Sequence, residues 1–362
     1  MSSKVDYKSA GVDIEAGNEA VRRMKSHVVK THSKAVLTGL GSFGTMYSLG
    51  DALKGMSDPV MVQSTDGVGT KTKVTVMAAE AAAAAGEDAG KYYELLGHDL
   101  VAAVAGDIAV MGARPLTFLD YLGVHKVEPG IIERLVKGMS DACAEAGIAL
   151  VGGETAEMPA VYAEGELDVV GFVTGVVERA SVITGAEIVE GDVLYGVGST
   201  GLHTNGWSLA RKLLFAMNGF AIDAPMEELG GKTLAEVLLV PHGNYVKPIE
   251  RALGAGVAIK GMAHITGGGL VENVPRVLPD GLGAVIDMSS WTPQPIFGLM
   301  QRLGSIDAVE MNRAFNMGVG LVVIGAAGLE TQLAEAMKPF AVWELGVVKS
   351  GMDGVVLDGV SE

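Results

Sequence analysis

Short apolar segments that end in glycine-rich polar runs recur along this chain, and this recurrence constrains the fold more than any other feature. The clearest run, residues 64–71 (STDGVGTK), follows the segment 60–62 (VMV), which predicts a buried strand. Similar runs follow apolar segments at 152–159, 198–206 and 264–269. Because strand-like and helix-like segments alternate, the pattern indicates mixed α/β domains that present polar groups where strands end.

Periodicity and end signals predict the individual elements and one division of the chain. A strand that ends near residue 178, followed by a turn, separates a domain at 1–178 from a second α/β domain at 179–362. The alanine-rich segment 77–90 predicts a surface helix and a turn. The expected helices lie at 18–32, 95–111, 129–146, 206–217 and 241–253, and the expected strands at 116–122, 148–151, 168–177, 193–197, 257–262, 284–287 and 319–324.

Composition excludes several classes of protein. The 362 residues carry a formal net charge of −16 with scattered Lys and Arg, which argues against a nucleic-acid partner. The single cysteine, Cys143, is expected to be buried and rules out a disulfide within the chain. Residues 1–7 lack the apolar core of a signal peptide, and no apolar run is long enough to span a membrane. We therefore expect a cytoplasmic protein.

The run at 64–71 predicts nucleotide phosphate chemistry. Asp66 is a ligand type that Mg²⁺ prefers, Gly67 and Gly69 let backbone N–H groups approach phosphate, Thr70 adds a hydroxyl and Lys71 a positive charge. The spacing is not that of a P-loop, and a glycine-rich turn is the alternative interpretation. A second glycine-rich loop, at 39–44, is a weaker signal that is common in turns.

Further acids suit a hard cation. Asp99 and Asp107 are eight residues apart on a predicted helix, so they differ by about 80° around its axis and project to a similar side. Glu154 follows a predicted strand, at the end where open α/β sheets bind ligands. A solvated helix face and an acidic surface turn are the respective alternatives.

The second half of the chain offers hydroxyl, amide and imidazole groups at strand ends. Glycines and hydroxyls such as Ser199 before a helix suit an anion, and His203 is a candidate hydrogen-bond or proton donor. Asn205 has the alternative role of a helix N-cap. The last run offers the same anion chemistry through His264, Thr266, Gly267, Gly268 and Gly269.

In this order, the runs resemble those of the phosphoribosylformylglycinamidine cyclo-ligase (AIR synthetase) family of purine biosynthesis, and the likeness covers nearly the whole chain. Its most specific parts are the runs at 64–71 and 152–159 (GGETAEMP). The other matching segments are 7–14 and 16–18, 118–121 (FLDY), 203–206 (HTNG), 266–269, 272–279 (ENVPRVLP) and 315–320 (FNMGVG).

The resemblance implies a ligase that closes formylglycinamidine ribonucleotide to 5-aminoimidazole ribonucleotide and releases ADP and phosphate. Domain 1–178 would bind ATP and pair its sheet in a homodimer, and domain 179–362 would contact the small phosphoribosyl substrate. Mg²⁺ would be held by Asp66, Asp107 and Glu154, and the need for a monovalent cation stays open.

Individual roles follow from the same resemblance. Asp66, Lys71 and His203 would be catalytic. The residues implied in ATP binding are Lys25, Gly67, Gly69, Thr70, Asp99 and Asp107. Those implied in binding the substrate or its phosphate are Ser199, Asn205, His264, Thr266, Gly267, Gly268 and Gly269.

Two departures from the family pattern are visible. Gly106 stands where the family usually has Asn before the aspartate that matches Asp107, and the segment 77–90 is longer than usual. His264 stands where related kinases and synthetases typically have an aspartate, which favours the cyclo-ligase. The alternatives are another ATP-dependent kinase or synthetase of the superfamily and a non-catalytic nucleotide-binding dimer.

Overall fold

The structure, a computed structural model, describes residues 7–359 and consists of two compact units. The first unit contains the chain up to Val104 together with Pro115–Val176, and the second contains Ala105–Arg114 and the chain from Val177 onward. The expectation about a signal peptide falls mainly on residues 1–6, which lie outside the described part. Within residues 7–359, no helix combines the length and apolar character needed to cross a bilayer.

The first unit is built on a four-stranded sheet. The strands lie in the order β1-β4-β2-β3, so β1 and β3 are its edges, and β2 runs parallel to β3. The strands are β1 (Pro59–Gly67), β2 (Arg114–Val124), β3 (Ala149–Glu157) and β4 (Leu167–Glu178), and the helices are α1 (Ile14–Val29), α2 (Lys71–Ala84), α3 (Gly90–Ala109) and α4 (Pro129–Ala146).

Local signals set the helix ends in this unit. Pro129 opens α4, where its missing N–H costs nothing, and Gly147 closes the helix in the left-handed conformation with φ of 75°. The Asp13 carboxylate caps α1 by accepting hydrogen bonds from the backbone N–H groups of Glu15 and Ala16. The bounds predicted for α4 from these signals are confirmed.

Two expectations for the first unit are wrong. The segment 60–62 is not a buried strand, since β1 is an edge strand on which Met61 is 64% exposed. The strand also continues through Asp66 and Gly67 instead of ending before the polar run. The alanine-rich segment is not a surface feature throughout, because Ala78, Ala79 and Ala82 of α2 are buried. Small side chains let this helix pack closely.

The second unit is built on a six-stranded sheet in the order β12-β9-β11-β5-β10-β8. Every residue of β10, the strand expected at 319–324, is buried, and this strand pairs antiparallel with both of its neighbours. The six strands are β5 (Val193–Gly198), β8 (Ile259–His264), β9 (Leu282–Asp287), β10 (Val319–Gly325), β11 (Val342–Ser350) and β12 (Gly354–Asp358), and β6 (Pro225–Met226) and β7 (Lys232–Thr233) form a separate hairpin. The helices are α5 (Trp207–Arg211), α6 (Leu234–Leu238), α7 (Val246–Gly254), α8 (Gly269–Asn273), α9 (Pro295–Gly304), α10 (Ala308–Ala314) and α11 (Glu330–Ala336).

Two helix predictions differ from this unit in detail. The helix expected at 241–253 begins only at Val246, because Asn244 is buried and its side-chain oxygen accepts the Val246 N–H. The helix expected at 206–217 is α-helical only over Trp207–Arg211 and continues as a wider π-helix over Lys212–Met217. Both units mix helices and strands, so the predicted α/β fold class is confirmed.

A buried ion pair joins two helices of the first unit. Lys71, the first residue of α2, lies 2.6 Å from the Asp99 carboxylate on α3, and both side chains are fully buried. Burial lowers the pKa of Lys71, and the attraction of Asp99 opposes that effect. The attraction of the opposite charge offsets part of the cost of burying each group.

We predict that Asp99→Asn destabilises the protein by about 3–5 kcal/mol, because it leaves an uncompensated ammonium group in the core. Urea unfolding followed by circular dichroism measures the change in the free energy of unfolding. Asp51→Asn is the matched control, since Asp51 pairs with Lys34 at 2.8 Å on the surface and its loss should cost less than about 1 kcal/mol. Equal effects of the two variants would contradict a structural role for the buried pair.

Candidate functional site

The first polar run changes from exposed to buried within five residues. Asp66 is exposed near the end of β1, and its Oδ1 accepts the backbone N–H of Gly67 at 2.7 Å. Gly69 turns the chain with φ of 54°, and Thr70 occupies the N-cap position of α2. Lys71 then points into the core towards Asp99. The run therefore presents its carboxylate, glycines and hydroxyl outward, whereas its lysine is held inside.

Glu154 lies on β3 at the edge of a cavity of about 930 Å³ in the first unit. Ligand cavities in proteins commonly fall in this size range. The walls come from helix α1, the glycine-rich loop at 39–45, and the strands β2 and β3, with Phe172 of β4 and Val136 of α4. The structure thus brings the loop at 39–44 together with the 152–155 run. Lys25 is exposed on α1, next in sequence to Met24, which lines the cavity.

Asp66 and Glu154 lie on opposite edges of the sheet. Strands β4 and β2 separate β1 from β3, which corresponds to three strand spacings, or about 14 Å along the sheet. Among residues 7–359, no group of three or more His, Cys, Asp or Glu side chains is arranged to hold a metal ion. The metal site expected from Asp66, Asp107 and Glu154 therefore stays a prediction.

Asp120 lies on β2 opposite Gly153 and lines the same cavity. Burial raises the pKa of its carboxyl to about 7, a hydrogen bond from its own backbone opposes the shift, and the charge of Glu154 adds to it. A buried acid with such a pKa at the wall of a cavity is typical of functional sites. Asp120 sits in a matched sequence segment, yet its burial next to Glu154 is visible only in the folded sheet.

In the second unit, the structure brings Asp107 and His264 together. The Nδ1 atom of His264 lies 2.8 Å from Oδ1 of Asp107. The His264 side chain is buried, whereas that of Asp107 is 32% exposed. The acid thus keeps contact with solvent while the imidazole fixes its orientation.

His203 organises its own loop from a buried position. Its Nε2 accepts hydrogen bonds from the backbone N–H groups of Thr200 at 3.2 Å and Gly243 at 3.3 Å. A neutral imidazole that accepts at Nε2 carries its proton on Nδ1. Its ring packs against that of His242 with a centroid distance of 3.8 Å and an interplanar angle of 34°. The catalytic role of His203 stays a prediction, and the observed contacts are structural.

Asn273 holds the loop at 266–269 in shape. Its Nδ2 lies within hydrogen-bond distance of the carbonyl oxygens of Gly267 at 3.1 Å and Gly269 at 2.9 Å. Gly269 itself is required, because its φ is 59° and a Cβ would lie 1.9 Å from the Asn312 carbonyl oxygen. The glycines therefore serve a tight turn, and any anion contact they make is additional.

The other residues of the 198–206 run have distinct positions. The Ser199 hydroxyl donates towards the Gly201 carbonyl at 3.0 Å and the Asn316 side chain at 3.2 Å. Ser199 also lines a second cavity of about 580 Å³ beside Trp291. Asn205 is not the N-cap of the following helix, since Gly206 occupies that position with φ of 78°. A Cβ on Gly267 would lie 3.2 Å from the Asn205 side-chain oxygen, so the two runs meet there.

Sequence reasoning missed four residues that shape these loops or cavities: Asp120, His242, Asn273 and Asn316. Asn273 and Asn316 fall within segments that match the family, so the motifs offered a signal for them. His242 lies outside those segments and becomes visible only through its packing against His203 and His264.

Two family models match this chain. AIR synthase related protein, N-terminal domain, matches residues 50–177, and AIR synthase related protein, C-terminal domain, matches residues 189–358. A phosphoribosylformylglycinamidine cyclo-ligase of Carboxydothermus hydrogenoformans is 46% identical over 360 residues, covering 98% of this chain and 99% of the relative. The enzyme of the same name from Bifidobacterium longum subsp. infantis is 47% identical over 317 residues, or 88% of each chain.

The chain belongs to the phosphoribosylformylglycinamidine cyclo-ligase family. The fold extends beyond it: the solved structure of hydrogenase maturation protein HypE in complex with ATP has a TM-score of 0.63 at 14% identity, covering 97% of this chain and 93% of that one. The predicted family and the prediction of a ligase are confirmed, while the roles of individual residues stay predictions.

We predict that Asp120 makes stability fall as pH rises from about 4 to 7. The unfolded carboxyl loses its proton near pH 4, whereas the folded one keeps it to about pH 7, so the folded state binds more protons in that window. Asp120→Asn removes this dependence. Its free energy of unfolding relative to that of wild type should therefore be up to a few kcal/mol higher at pH 8 than at pH 5.

Urea unfolding at pH 5 and at pH 8, without nucleotide or metal, measures this difference in the free energy of unfolding. Asp280→Asn is the control because Asp280 is exposed, and its difference from wild type should be the same at both pH values. A pH-independent difference for Asp120→Asn would show that the carboxyl ionises normally in the folded protein.

Proposed function

We propose that this chain catalyses the ATP-dependent closure of formylglycinamidine ribonucleotide to 5-aminoimidazole ribonucleotide, with release of ADP and phosphate, in purine biosynthesis. The observation that carries the proposal is 46% identity to a cyclo-ligase of that name over 98% of the chain. Both halves of the chain also match the corresponding domains of AIR synthase related proteins.

The chemistry requires activation of an amide. The formyl amide oxygen attacks the γ-phosphorus of ATP and ADP leaves, which turns a poor leaving group into phosphate. The ribose-bearing amidine nitrogen then attacks the formyl carbon, the new C–N bond forms, the C–O bond breaks and phosphate departs. The formamide nitrogen and the attacking nitrogen each lose a proton, and a methylene proton moves to the second amidine nitrogen, which gives the aromatic ring and its amino group. Holding the two ends of the substrate together contributes several kcal/mol to lowering the barrier.

ATP fits the first unit best. Its cavity of about 930 Å³ combines a glycine-rich loop with Glu154 and with apolar side chains of α1 such as Val21 and Met24. Glycines admit close approach of phosphate to the backbone, and apolar walls suit a base. A protein of this fold, HypE, is known in complex with ATP, which supports ATP as a ligand of the fold.

Asp66 and Glu154 are exposed carboxylates of the first unit, and either would suit Mg²⁺ that arrives with ATP. Such an ion usually takes one or two carboxylates and completes its shell with phosphate oxygens and waters, so a preformed protein cage is not needed. When bound with ATP, it supplies neutralisation of phosphate charge. The buried ion pair of Lys71 with Asp99 fixes the start of helix α2, five residues after Asp66.

The phosphoribosyl substrate is assigned to the second unit. Its loops at 198–206 and 266–269 meet at Asn205 and Gly267, and Asn273 keeps backbone groups of the second loop in place. A loop that is fixed in advance binds a phosphate without paying for its own ordering. Ser199 and Thr266 add hydroxyl groups in these loops.

A homodimer is the assembly that the first unit favours. One face of its sheet exposes Met61 on β1, Leu119 on β2 and Phe172 on β4, at 64%, 42% and 43% respectively. A contiguous apolar face of this kind marks a protein interface. Pairing of two such sheets also offers a way for Asp66 on one edge to approach Glu154 on the other edge of a second copy.

We predict that purified protein releases ADP and forms aminoimidazole ribonucleotide only when ATP, Mg²⁺ and formylglycinamidine ribonucleotide are all present. Asp66→Ala should lower kcat by about 10²-fold or more, since it removes a charge aimed at the phosphates. Asp280→Ala, at an exposed turn, is the control and should keep wild-type kcat. ADP release with thiamine phosphate but not with this substrate would instead support a kinase of the same superfamily.

We predict that Phe172→Glu converts the dimer to a monomer, because a charge placed in an apolar interface costs more than the contact contributes. Light scattering coupled to size exclusion should give twice the 37.3 kDa chain mass for wild type and a single chain mass for the variant. Val309→Glu is the control, since Val309 is similarly exposed at 41% but lies on α10 in the second unit. A monomeric wild type would contradict the proposed assembly.

A further inference from the structure

Gly106 lies in α3 one residue before Asp107, and it faces the imidazole of His264. A Cβ added to Gly106 would lie 2.7 Å from Cε1 of that ring, 3.0 Å from Nδ1 and 3.1 Å from Nε2. Carbon atoms in contact are normally about 3.5–4.0 Å apart. The ring therefore occupies the volume that any side chain at residue 106 would need.

The His264 ring is packed against two other buried rings. The centroid of the His242 ring lies 5.2 Å from that of His264, and the centroid of the Tyr245 ring lies 6.2 Å from it. Both contacts are edge-to-face. His242 and Tyr245 are almost completely buried, and the His264 side chain is 3% exposed. A displaced His264 ring would thus have to shift buried neighbours or give up its 2.8 Å contact with Asp107.

We propose that Gly106 is a positioning residue, whose missing side chain allows the His264 imidazole to lie against the α3 backbone and hold the Asp107 carboxylate. The consequence is a fixed orientation for an acid that stays 32% exposed to solvent. His264 Nε2 is buried and makes no hydrogen bond within the described part of the chain, so Asp107 is the polar contact that fixes the ring. The inference concerns the second unit and does not depend on the proposed activity.

A double-mutant cycle on thermal stability tests this proposal. Gly106→Ala should lower Tm by about 3–10 °C while His264 is present, because the new methyl group overpacks the ring. In the His264→Ala background, the same change should raise Tm by about 1–3 °C, as alanine normally does in a helix. Gly298→Ala on α9 is the control with the same small gain, since its new Cβ would have its nearest neighbour, on Arg302, at 3.5 Å.

The sign change between the two backgrounds is decisive. Equal destabilisation by Gly106→Ala with and without His264 would overturn the proposal, because the crowding would then come from another group. Should Gly106→Ala alone fail to fold, recovery of folding in the double variant supports the proposal, and failure of both overturns it.

A spectroscopic measurement separates positioning of the ring from general loss of packing. In protein labelled with ¹⁵N-histidine, the ring signals of His264 are assigned by their loss in His264→Ala. They should shift in Gly106→Ala because the contact with Asp107 is broken, while those of His32 and His125 in the first unit stay unchanged. Unchanged His264 signals would show that Gly106 does not set the position of the ring.

Discussion

Buried polar side chains hold this fold in place, because each of them must find a partner once water is removed. Lys71 and Asp99 meet in the core of the first unit, and Lys260 binds the buried Asp192 at 2.7 Å in the second. The same requirement acts in the loop at 266–269, where the side-chain amide of Asn273 donates to two backbone oxygens. Buried hydrogen bonds of the second unit therefore hold this loop in shape.

Pairing of charges also explains why the polar run at 64–71 has an exposed acid at one end and a buried lysine at the other. A strand turns into a helix between Asp66 and Lys71, so side chains five residues apart point to opposite environments. Asp66 is left to meet solvent, and Lys71 enters the core where Asp99 neutralises it. A lysine in such a position shapes the site by fixing the start of α2, and its charge is already partly compensated.

Much of this could be predicted from the sequence, for physical reasons that are local. The bounds of α4 follow from Pro129 and Gly147, and the apolar run at 319–324 predicts the strand β10. The errors come from tertiary context. Met61 is exposed because its face of the sheet is open to solvent, as it also is at Leu119 and Phe172 on the two inner strands, and which face is covered cannot be read from one strand's composition. The late start of α7 likewise goes with a hydrogen bond from the Val246 N–H to the Asn244 side chain, which the sequence pattern did not reveal.

The candidate site shows the same limit at finer scale. The motifs identified Asp66, Asp107 and Glu154 as candidate metal ligands. The pairing of Asp107 with His264 was not visible, because it spans 157 residues of sequence and depends on the missing side chain at Gly106. The sheet order then places Asp66 and Glu154 on opposite edges, which no motif conveys. In the proposed homodimer, a sheet that pairs with its own copy would bring the acid at one edge towards the acid at the other edge of the second copy. The exposed Phe172 face and the separated acids would then be two consequences of that one arrangement, in which a single chain provides only part of the proposed phosphate site.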